Sequence, residues 1–336
     1  MVEEEGVSCR GGEGVMEPIL EGRGLKKVYP VKTPLGRVRG VVRAVDGVDF
    51  ALMPSEILGV VGESGCGKST LARLVLRLEE PDSGHLYFQG EDVYSLDEKA
   101  LEPFRRQVQI VFQDPFSSLN PRMKVATMLM EPLLVHRMVA SKVEARERVA
   151  DLMERVGLSR DDLDKYPHQF SGGQRQRVGI ARALVLNPRV VVADEPTSSL
   201  DVFVQAQVLN LMLELMEERG FSYIFISHNL SLVGQVADRI MVLYLGRVVE
   251  TGPARELVRE PLHPYTQLLV NSVPVPDPSR AHLDTLPPLG DVPSPLDPPP
   301  GCPFHPRCPH AREICREGST PLKDMGGGRQ VACYLL

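Results

Sequence analysis

The sequence predicts a mixed α/β fold in which a wound sheet is built around a glycine-rich, phosphate-binding loop. A buried-strand pattern at 56–61 is followed by a loop with three glycines and then by apolar residues at helical spacing as far as Leu78. Further along, apolar runs at 190–193 and 222–226 are separated by a helical pattern, which is typical of parallel strands covered by helices.

The remaining elements follow from local patterns in chain order. Residues 17–52 alternate β-rich runs with turn signals, so an antiparallel sheet is expected from 19–29 and 38–50. Between Met123 and Leu163 the apolar spacing is helical, with charged residues on the opposite face. The other expected elements are a strand at 107–112, a helix from Ser171 to Leu186 ended by Asn187-Pro188, and a helix at 203–219.

Composition narrows the class of protein. The 336 residues suffice for one large domain and a smaller appendage. The net charge of −6 argues against a general nucleic-acid binder, and no apolar run approaches the ~18 residues that span a bilayer. Residues 1–16 are acidic and glycine-rich, which predicts a disordered leader, with Met16 as a second candidate for the start.

The run Gly-Glu-Ser-Gly-Cys-Gly-Lys-Ser-Thr at 62–70 matches the phosphate-binding pattern G-x-x-x-x-G-K-[ST], in its required context between a strand and a helix. Its glycines let the backbone approach the phosphates, while loop amides and the helix N-terminus face the anion. Lys68 is expected to neutralise the β- and γ-phosphates and Ser69 to ligate Mg²⁺, whereas the Cys66 thiol has no expected chemical role. The nucleotide-binding residues expected here are Gly62, Glu63, Ser64, Gly65, Cys66, Gly67, Lys68, Ser69 and Thr70.

The apolar strand at 190–193 ends in two carboxylates, Asp194 and Glu195. Asp194 at the strand tip is placed to hold Mg²⁺, directly or through water. Glu195 is expected to polarise the water that attacks the γ-phosphate, which is the task of a general base. An apolar run ending in Asp-Glu is weak evidence alone, and the phosphate loop upstream makes it specific.

The most specific run is Phe-Ser-Gly-Gly-Gln-Arg-Gln-Arg at 170–177, which resembles the signature loop of ABC-type ATPases. Ser171 and the amides of Gly172 and Gly173 cap a helix N-terminus and form a second anion site. Because the chain has one phosphate loop, the second site suggests contact with a partner's nucleotide. The resemblance implies a head-to-tail dimer, in which Ser171 and Gly173 meet the γ-phosphate held by the other subunit.

Four further positions resemble the pattern of the same family. Tyr29 corresponds to the aromatic residue that stacks on adenine, and Gln113 to the glutamine that touches Mg²⁺ and the attacking water. Asp201, in Ser-Leu-Asp at 199–201, corresponds to the loop that crosses the dimer interface, and His228 to the switch histidine at the γ-phosphate. The resemblance implies catalytic roles for Glu195, His228 and Gln113, and Mg²⁺ ligation by Ser69, Gln113 and Asp194.

Within that family, the runs at 62–70, 112–121 and 193–202 resemble the ATP-binding subunits of dipeptide and oligopeptide importers. The phosphate loop and the signature run Gly-Gly-Gln-Arg-Gln-Arg at 172–177 resemble the F-type of their two unlike ATPases. His-Pro-Tyr-Thr at 263–266 and Gly-Asp-Val-Pro-Ser-Pro at 290–295 resemble the C-terminal extension of those subunits. The units implied are an ABC-type P-loop NTPase domain at 17–252, its helical subdomain near 115–180, and the extension at 253–336.

The same resemblance implies ATP hydrolysis that powers the uptake of dipeptides or oligopeptides at the cytoplasmic face of the cell membrane. The implied partners are two transmembrane permease subunits, a second, unlike ATPase subunit and an extracytoplasmic solute-binding protein, with no nucleic acid. A homodimer, and another solute such as a nickel complex or an oligosaccharide, remain alternatives. A soluble ABC ATPase acting on ribosomes or DNA is a further alternative, although no tandem core, long charged linker or basic surface supports it.

Four of the six cysteines lie in the C-terminal region, at Cys302, Cys308, Cys315 and Cys333. They follow or overlap the stretch 273–306, which holds 12 of the 29 prolines and favours extended conformations. Four separated thiolates can hold Zn²⁺ or an iron–sulfur cluster, and gaps this wide suit a [4Fe–4S] cube. Members of the resembled importer group carry such a cluster here. Zinc, with His305 or His310 as substitute ligands, stays open, and so does a site without metal, in which the cysteines form disulfides or free thiols.

Overall fold

The computed structural model describes residues 17–32, 36–114, 118–272, 290–318 and 320–336. The expected leader at 1–16 and residues 273–289 of the Pro-rich stretch lie outside these ranges. Two sheets flanked by helices confirm the α/β class, and no helix within the ranges is long and apolar enough to cross a bilayer. The strands are β1 (Leu20–Lys32), β2 (Val38–Leu52), β3 (Ile57–Val61), β4 (Ser83–Phe88), β5 (Glu91–Asp92), β6 (Val108–Val111), β7 (Val190–Asp194), β8 (Ser222–Ser227), β9 (Arg239–Tyr244), β10 (Arg247–Pro253), β11 (Lys323–Gly326) and β12 (Arg329–Val331). The helices are α1 (Lys68–Val75), α2 (Leu101–Gln107), α3 (Val125–Val135), α4 (Lys142–Arg155), α5 (Gly172–Leu184), α6 (Val202–Arg219), α7 (Leu230–Val236), α8 (Ala254–Arg259) and α9 (Pro264–Asn271).

The larger sheet has eight strands in the order β11-β12-β10-β9-β3-β8-β7-β6. The strands from β9 to β6 in that order run parallel. Strands β3, β7 and β8 are buried almost throughout, which accounts for their continuous apolar sequences. Since the carboxyl ends of neighbouring parallel strands share one edge, the loops after β3, β6, β7 and β8 meet there and form the candidate site.

The smaller sheet is antiparallel, in the order β2-β1-β4-β5, as expected for the first two strands. Its residues Leu20, Leu52 and Leu86 are fully buried, in one apolar cluster with Leu58 of β3 and Leu74 of α1. Full burial of a leucine contributes on the order of 1.5–3 kcal/mol. This cluster fixes the antiparallel sheet to the core beside the phosphate loop.

The helical stretch expected in the middle of the chain is divided into α3 and α4. The break contains Arg137, whose φ is +52°, and ends at Ser141, whose Oγ accepts a hydrogen bond from the Glu144 N–H at 3.2 Å. This side-chain cap satisfies an otherwise unpaired donor of the new helix. Leu129 and Met153 lie on the buried faces of the two helices and join the main apolar core.

Helix α5 begins where the sequence predicts. Ser171 Oγ accepts from the Gln174 N–H at 3.3 Å, and Gln174 Oε1 accepts from the Ser171 N–H at 3.0 Å. This reciprocal arrangement is a capping box. The helix ends at Leu184, before the expected Leu186, and Asn187 with φ +54° turns the chain toward β7.

The sequence did not predict how the C-terminal extension joins the core. Strand β10 pairs with β9 on one side and with β12 on the other, where Glu250 lies opposite Val331. The Glu250 carboxylate is fully buried and accepts bonds from the N–H groups of Leu262 and His263 and from Arg329. The extension is therefore hydrogen-bonded into the sheet that carries the site.

Candidate functional site

The phosphate loop lies at the carboxyl end of β3 and leads into α1. Gly67 has a left-handed φ of +109°, and a Cβ placed there would lie 2.0 Å from the carbonyl oxygen of Ala44. Lys68 is buried, and its ammonium donates to the carbonyl oxygens of Gly62 at 2.7 Å and Glu63 at 3.1 Å. The cation is thus held within the curve of the loop, where it can meet an anion bound to the loop amides.

Asp194 ends β7 and faces the start of α1. Ser69 Oγ lies 3.4 Å from Asp194 Oδ1. Burial raises the pKa of Asp194, a rise that the Ser69 hydrogen bond opposes and the charge of Glu195 increases. A desolvated carboxylate beside a hydroxyl supplies the hard oxygen donors that Mg²⁺ takes. The two residues therefore fit a Mg²⁺ site next to the phosphates.

Glu195 has a strained backbone and a tightly held side chain. Its φ is +46°, and its N–H donates to the carbonyl oxygen of Ile226 at 2.9 Å, which fixes the turn after β7 to β8. Its Oε2 accepts from Gln113 Nε2 at 3.1 Å and lies 3.2 Å from His228 Nδ1. Because a carboxylate only accepts, Nδ1 carries the proton in this contact. The three residues predicted as catalytic thus meet at one carboxylate oxygen.

Most of these groups line one open cleft of about 800 Å³. The expected residues in its wall are Tyr29, Glu63, Ser64, Gly65, Gly67, Lys68, Ser69, Thr70, Gln113, Glu195 and His228. Gly62, Cys66 and Asp194 belong to the same edge of the sheet without being part of that wall. Leu268, Leu269 and Ser272, at the end of α9, also line the cleft, and the sequence had not predicted them.

Tyr29 lies on β1, in the wall of the cleft. Its hydroxyl donates to the carboxylate of Glu79. Burial raises the pKa of Tyr29, and the contact with Glu79 adds to this rise, so the phenol stays protonated. The position agrees with stacking on a nucleotide base, and that role stays a prediction.

The signature residues do not reach this cleft. Residues 171–173 open α5, and Asp201 Oδ1 accepts from the Val204 N–H at 3.0 Å, which caps α6. Next to Asp201, Val202 and Phe203 are 84% and 73% exposed. Two large apolar side chains side by side on the surface are typical of a contact with another protein.

Glu63 joins the phosphate loop to the C-terminal extension. Its N–H donates to Tyr265 Oη at 2.8 Å, and its carboxylate pairs with Arg307. The sequence did not predict either contact, because 202 and 244 positions separate the partners. Cys66, in the same loop, is buried, and burial raises the pKa of its thiol, in keeping with its lack of an expected chemical role.

His263, before α9, gives the extension an acid-sensitive anchor. Its Nδ1 accepts from the Tyr265 N–H at 3.1 Å, and burial lowers its pKa to about 4 from the ordinary 6.5. Between these two pH values His263 binds a proton in the unfolded chain but not in the folded chain. The contribution of His263 to the free energy of unfolding is therefore fully present above pH 6.5 and is lost as the pH drops.

We expect His263→Asn to reduce this acid sensitivity, since asparagine can cap α9 through its side-chain oxygen but does not titrate. The free energy of unfolding, measured with urea at pH 7.5 and 5.0, should fall by about 2 kcal/mol more in the wild type than in the variant. Equal losses in the two proteins would show that His263 does not control the acid response.

All four C-terminal cysteines are buried and carry free thiols. Burial, together with the charges of Cys315, Cys333 and Cys308, raises the pKa of Cys302 to about 11, so the four groups lie near one another. In the part of the chain that the structure describes, no three or more His, Cys, Asp or Glu side chains converge closely enough to hold a single metal ion. None of these four residues forms a disulfide.

The strand-tip carboxylates, the phosphate loop and the capped signature helix define an ATPase of the phosphate-loop class. The chain belongs to the ATP-binding proteins of ABC transporters, in the dipeptide and oligopeptide group. Residues 45–198 match the ABC transporter family, and residues 249–315 match the family described as "Oligopeptide/dipeptide transporter, C-terminal region". The predicted family and ATPase activity are thereby confirmed.

Relatives match along nearly the whole chain. The dipeptide transport ATP-binding protein DppF of Escherichia coli is 50% identical over 322 residues, covering 95% of each chain. The protein of the same name from Haemophilus influenzae is 49% identical, covering 94% of this chain and 96% of its own. The oligopeptide transport ATP-binding protein AppF of Bacillus subtilis is 49% identical, covering 95% of this chain and 98% of its own.

Solved structures share the fold. The cbiO1 protein of Clostridium perfringens, part of the ABC transporter complex cbiONQ, has a TM-score of 0.62 at 29% identity and covers 73% of this chain and 92% of its own. The ATP-binding cassette MJ0796, a dimer in a post-hydrolysis state bound to ADP and Pi, has a TM-score of 0.63 at 28% identity, covering 70% of this chain and 99% of its own.

Proposed function

We propose that this chain hydrolyses ATP to power the import of dipeptides or oligopeptides, with Glu195 directing the chemical step. The observation that carries the proposal is the Glu195 carboxylate, held by Gln113 and His228 beside the phosphate loop. The peptide cargo is supported by relatives whose names state dipeptide or oligopeptide transport. Transport of another solute, or a soluble role on ribosomes or DNA, has no such support.

ATP binding in this proposal uses the loop at 62–70. The loop amides and the N-terminus of α1 face the phosphates, and Lys68 neutralises the β- and γ-phosphates. Tyr29, in the wall of the same cleft, stacks on the adenine. Gly65 and Gly67 have the left-handed backbone conformations, with φ of +79° and +109°, that let the loop curve closely around the phosphates.

Ser69, Asp194 and Gln113 would hold Mg²⁺. When bound, the ion neutralises charge on the β- and γ-phosphate oxygens. Burial raises the pKa of Asp194. A cation bound beside it would oppose this rise and favour the ionised carboxylate. The pair of Asp194 and Ser69 thereby fixes where the phosphates sit relative to Glu195.

Glu195 then orients the attacking water and accepts its proton. Gln113 and His228 both hold Oε2, which leaves Oε1 as the oxygen that meets the water. Holding the base in one orientation keeps the water aligned with the γ-phosphate. His228, in the same cleft, touches the γ-phosphate in this arrangement and links its position to that of the base.

Ser171, Gly172, Gly173 and Asp201 act on the nucleotide of a second ATPase subunit. These residues do not line this chain's own cleft, and that observation and the exposed Val202 and Phe203 support a dimer of this kind. We favour an unlike ATPase as the partner, with a homodimer as the alternative.

The other proposed subunits of the importer are two permease subunits and an extracytoplasmic solute-binding protein. This chain lies at the cytoplasmic face of the membrane in that assembly. The ATPase domain is taken as 17–252 and the extension as 253–336.

The four C-terminal cysteines would hold a [4Fe–4S] cluster that staples the extension. Their burial, free thiols and mutual effect on the Cys302 pKa support a shared centre. Four thiolates are the usual ligand set of a cubic iron–sulfur cluster. Such a staple suits an extension that has few core residues of its own.

The cluster is tested by visible absorption of anaerobically purified protein, with iron and sulfide analysis. We expect brown protein with four irons per chain in the wild type. A Cys315→Ser variant should lose the colour, whereas Cys66→Ser should keep it. A colourless, iron-free protein with one equivalent of zinc would refute the cluster.

The transport proposal is tested in liposomes that contain the whole assembly. We expect ATP turnover to rise when a peptide-loaded binding protein is added, and Lys68→Ala to abolish both basal and stimulated turnover. Stimulation by a nickel complex or an oligosaccharide, and not by peptides, would change the cargo. If the chain did not copurify with integral membrane proteins, the proposal that it belongs to an importer would be wrong.

A further inference from the structure

Glu63 of the phosphate loop is hydrogen-bonded to two residues of the C-terminal extension. Arg307 Nη1 donates to Glu63 Oε2 at 2.7 Å, and Arg307 Nη2 donates to Glu63 Oε1 at 3.0 Å. This is the two-pronged geometry in which a guanidinium and a carboxylate bind most strongly. The Arg307 side chain is only 6% exposed and that of Glu63 is 27% exposed, so water reaches the pair from the carboxylate side alone.

Aromatic rings fix Arg307 in place. Its guanidinium carbon lies 5.9 Å from the ring centre of Tyr244 and 5.7 Å from that of Phe304. Its Nη1 also lies 3.5 Å from the Tyr244 hydroxyl. Both rings are buried, and neither can move without disturbing the core. The guanidinium of Arg307 is therefore held in one position beside Glu63.

A second contact holds the backbone of the same residue. The Glu63 N–H donates to Tyr265 Oη at 2.8 Å, and Tyr265 is fully buried. Its ring centre lies 4.6 Å from that of Tyr244 and 5.4 Å from that of Phe304. The extension thus binds both the main chain and the side chain of Glu63. Glu63 itself lies in the wall of the nucleotide cleft.

We propose that Arg307 and Tyr265 are positioning residues for ATP binding, which hold the phosphate loop in its binding shape through Glu63. The inference takes the phosphate-binding role of the loop from the proposed function. Without these supports the loop must be ordered by the nucleotide itself, and that cost weakens binding. Since neither residue touches the reacting atoms, the main effect is on affinity and not on the chemical step.

The first test measures the dissociation constant of a fluorescent ATP analogue for Arg307→Gln and Tyr265→Phe. We expect at least about tenfold weaker binding for Arg307→Gln, because a part-buried carboxylate loses its partner. We expect a loss of about threefold to tenfold for Tyr265→Phe, which keeps the ring and removes one hydrogen bond. Arg312→Gln, an exposed arginine in the same extension, is the matched control and should bind like the wild type.

A double variant separates positioning from general destabilisation. Glu63→Gln added to Arg307→Gln removes the unpaired charge and lets two amides bond, so binding should recover toward that of the wild type. Two further readouts are the thermal midpoint without nucleotide and kcat at saturating ATP. We expect kcat to change less than the dissociation constant.

Two results would overturn the inference. One is an unchanged dissociation constant in folded Arg307→Gln, and the other is a loss of binding that Glu63→Gln does not restore. If the wild type bound the analogue no better than Lys68→Ala does, the phosphate-binding role of the loop would fall, and the inference with it. If the wild type bound it and Arg307→Gln bound it equally well, only the inference would fall.

Discussion

Glu195→Gln is expected to lower kcat for ATP hydrolysis by at least about 100-fold, because the amide cannot accept the proton of the attacking water. Nucleotide binding should persist, since the loop, Lys68 and Asp194 are unchanged. With hydrolysis blocked, the ATP-bound dimer should accumulate. Phosphate release, binding of a fluorescent ATP analogue and the molecular mass in solution with ATP measure the three consequences separately.

The control for this variant is Glu217→Gln, which changes an exposed glutamate on α6 in the same way. It should hydrolyse ATP like the wild type. If Glu195→Gln kept turnover within a factor of about three of the wild type, the proton would have another acceptor, and the role given to Glu195 would be wrong.

Gly67→Ala is expected to cost several kcal/mol of folding free energy, on the order of the largest single-residue effects. The added methyl would lie 2.0 Å from the carbonyl oxygen of Ala44, at a φ of +109° that side chains rarely adopt. Backbone cannot yield as a flexible side chain can, so the loop or strand β2 must shift. The urea midpoint should fall and ATP binding should be lost.

Gly65→Ala isolates the steric part of that effect. Gly65 also has a left-handed φ, of +79°, but a Cβ there meets no atom within 4 Å. It should therefore cost only the backbone strain, about 1–2 kcal/mol. Equal shifts of the urea midpoint in the two variants would mean that the close approach to Ala44 is not what requires glycine at position 67.

The candidate site could be assembled from the sequence because each part has a local signal at a strand end. Glycine spacing marks 62–70, and apolar runs that stop in polar residues mark Gln113, Glu195 and His228. Parallel strands turn these four separate signals into neighbours in space, since their carboxyl ends share an edge. The wound core and antiparallel sheet were predicted for the same reason, from period and burial of short segments.

The contacts that the sequence did not predict are those between distant segments. Tyr265 and Arg307 belong to no sequence pattern that would mark them. Their partner Glu63 occupies a position of the phosphate-loop pattern at which any residue type is allowed. Strand β9 was a different case. Its run Ile-Met-Val-Leu-Tyr at 240–244 is a buried-strand pattern and could have been recognised by the criteria that found β7.

Strand β10 carries a consequence for how this protein is prepared. Its partner β12 lies about 80 positions further along the chain, so the pairing of Glu250 with Val331 closes a long loop at a high entropic cost. Until that closure, β10 presents unsatisfied donors and acceptors to any other strand nearby. During refolding from denaturant, pairing of β10 with β12 in one chain therefore competes with pairing of β10 to a strand of another chain. Dilution favours the pairing within one chain.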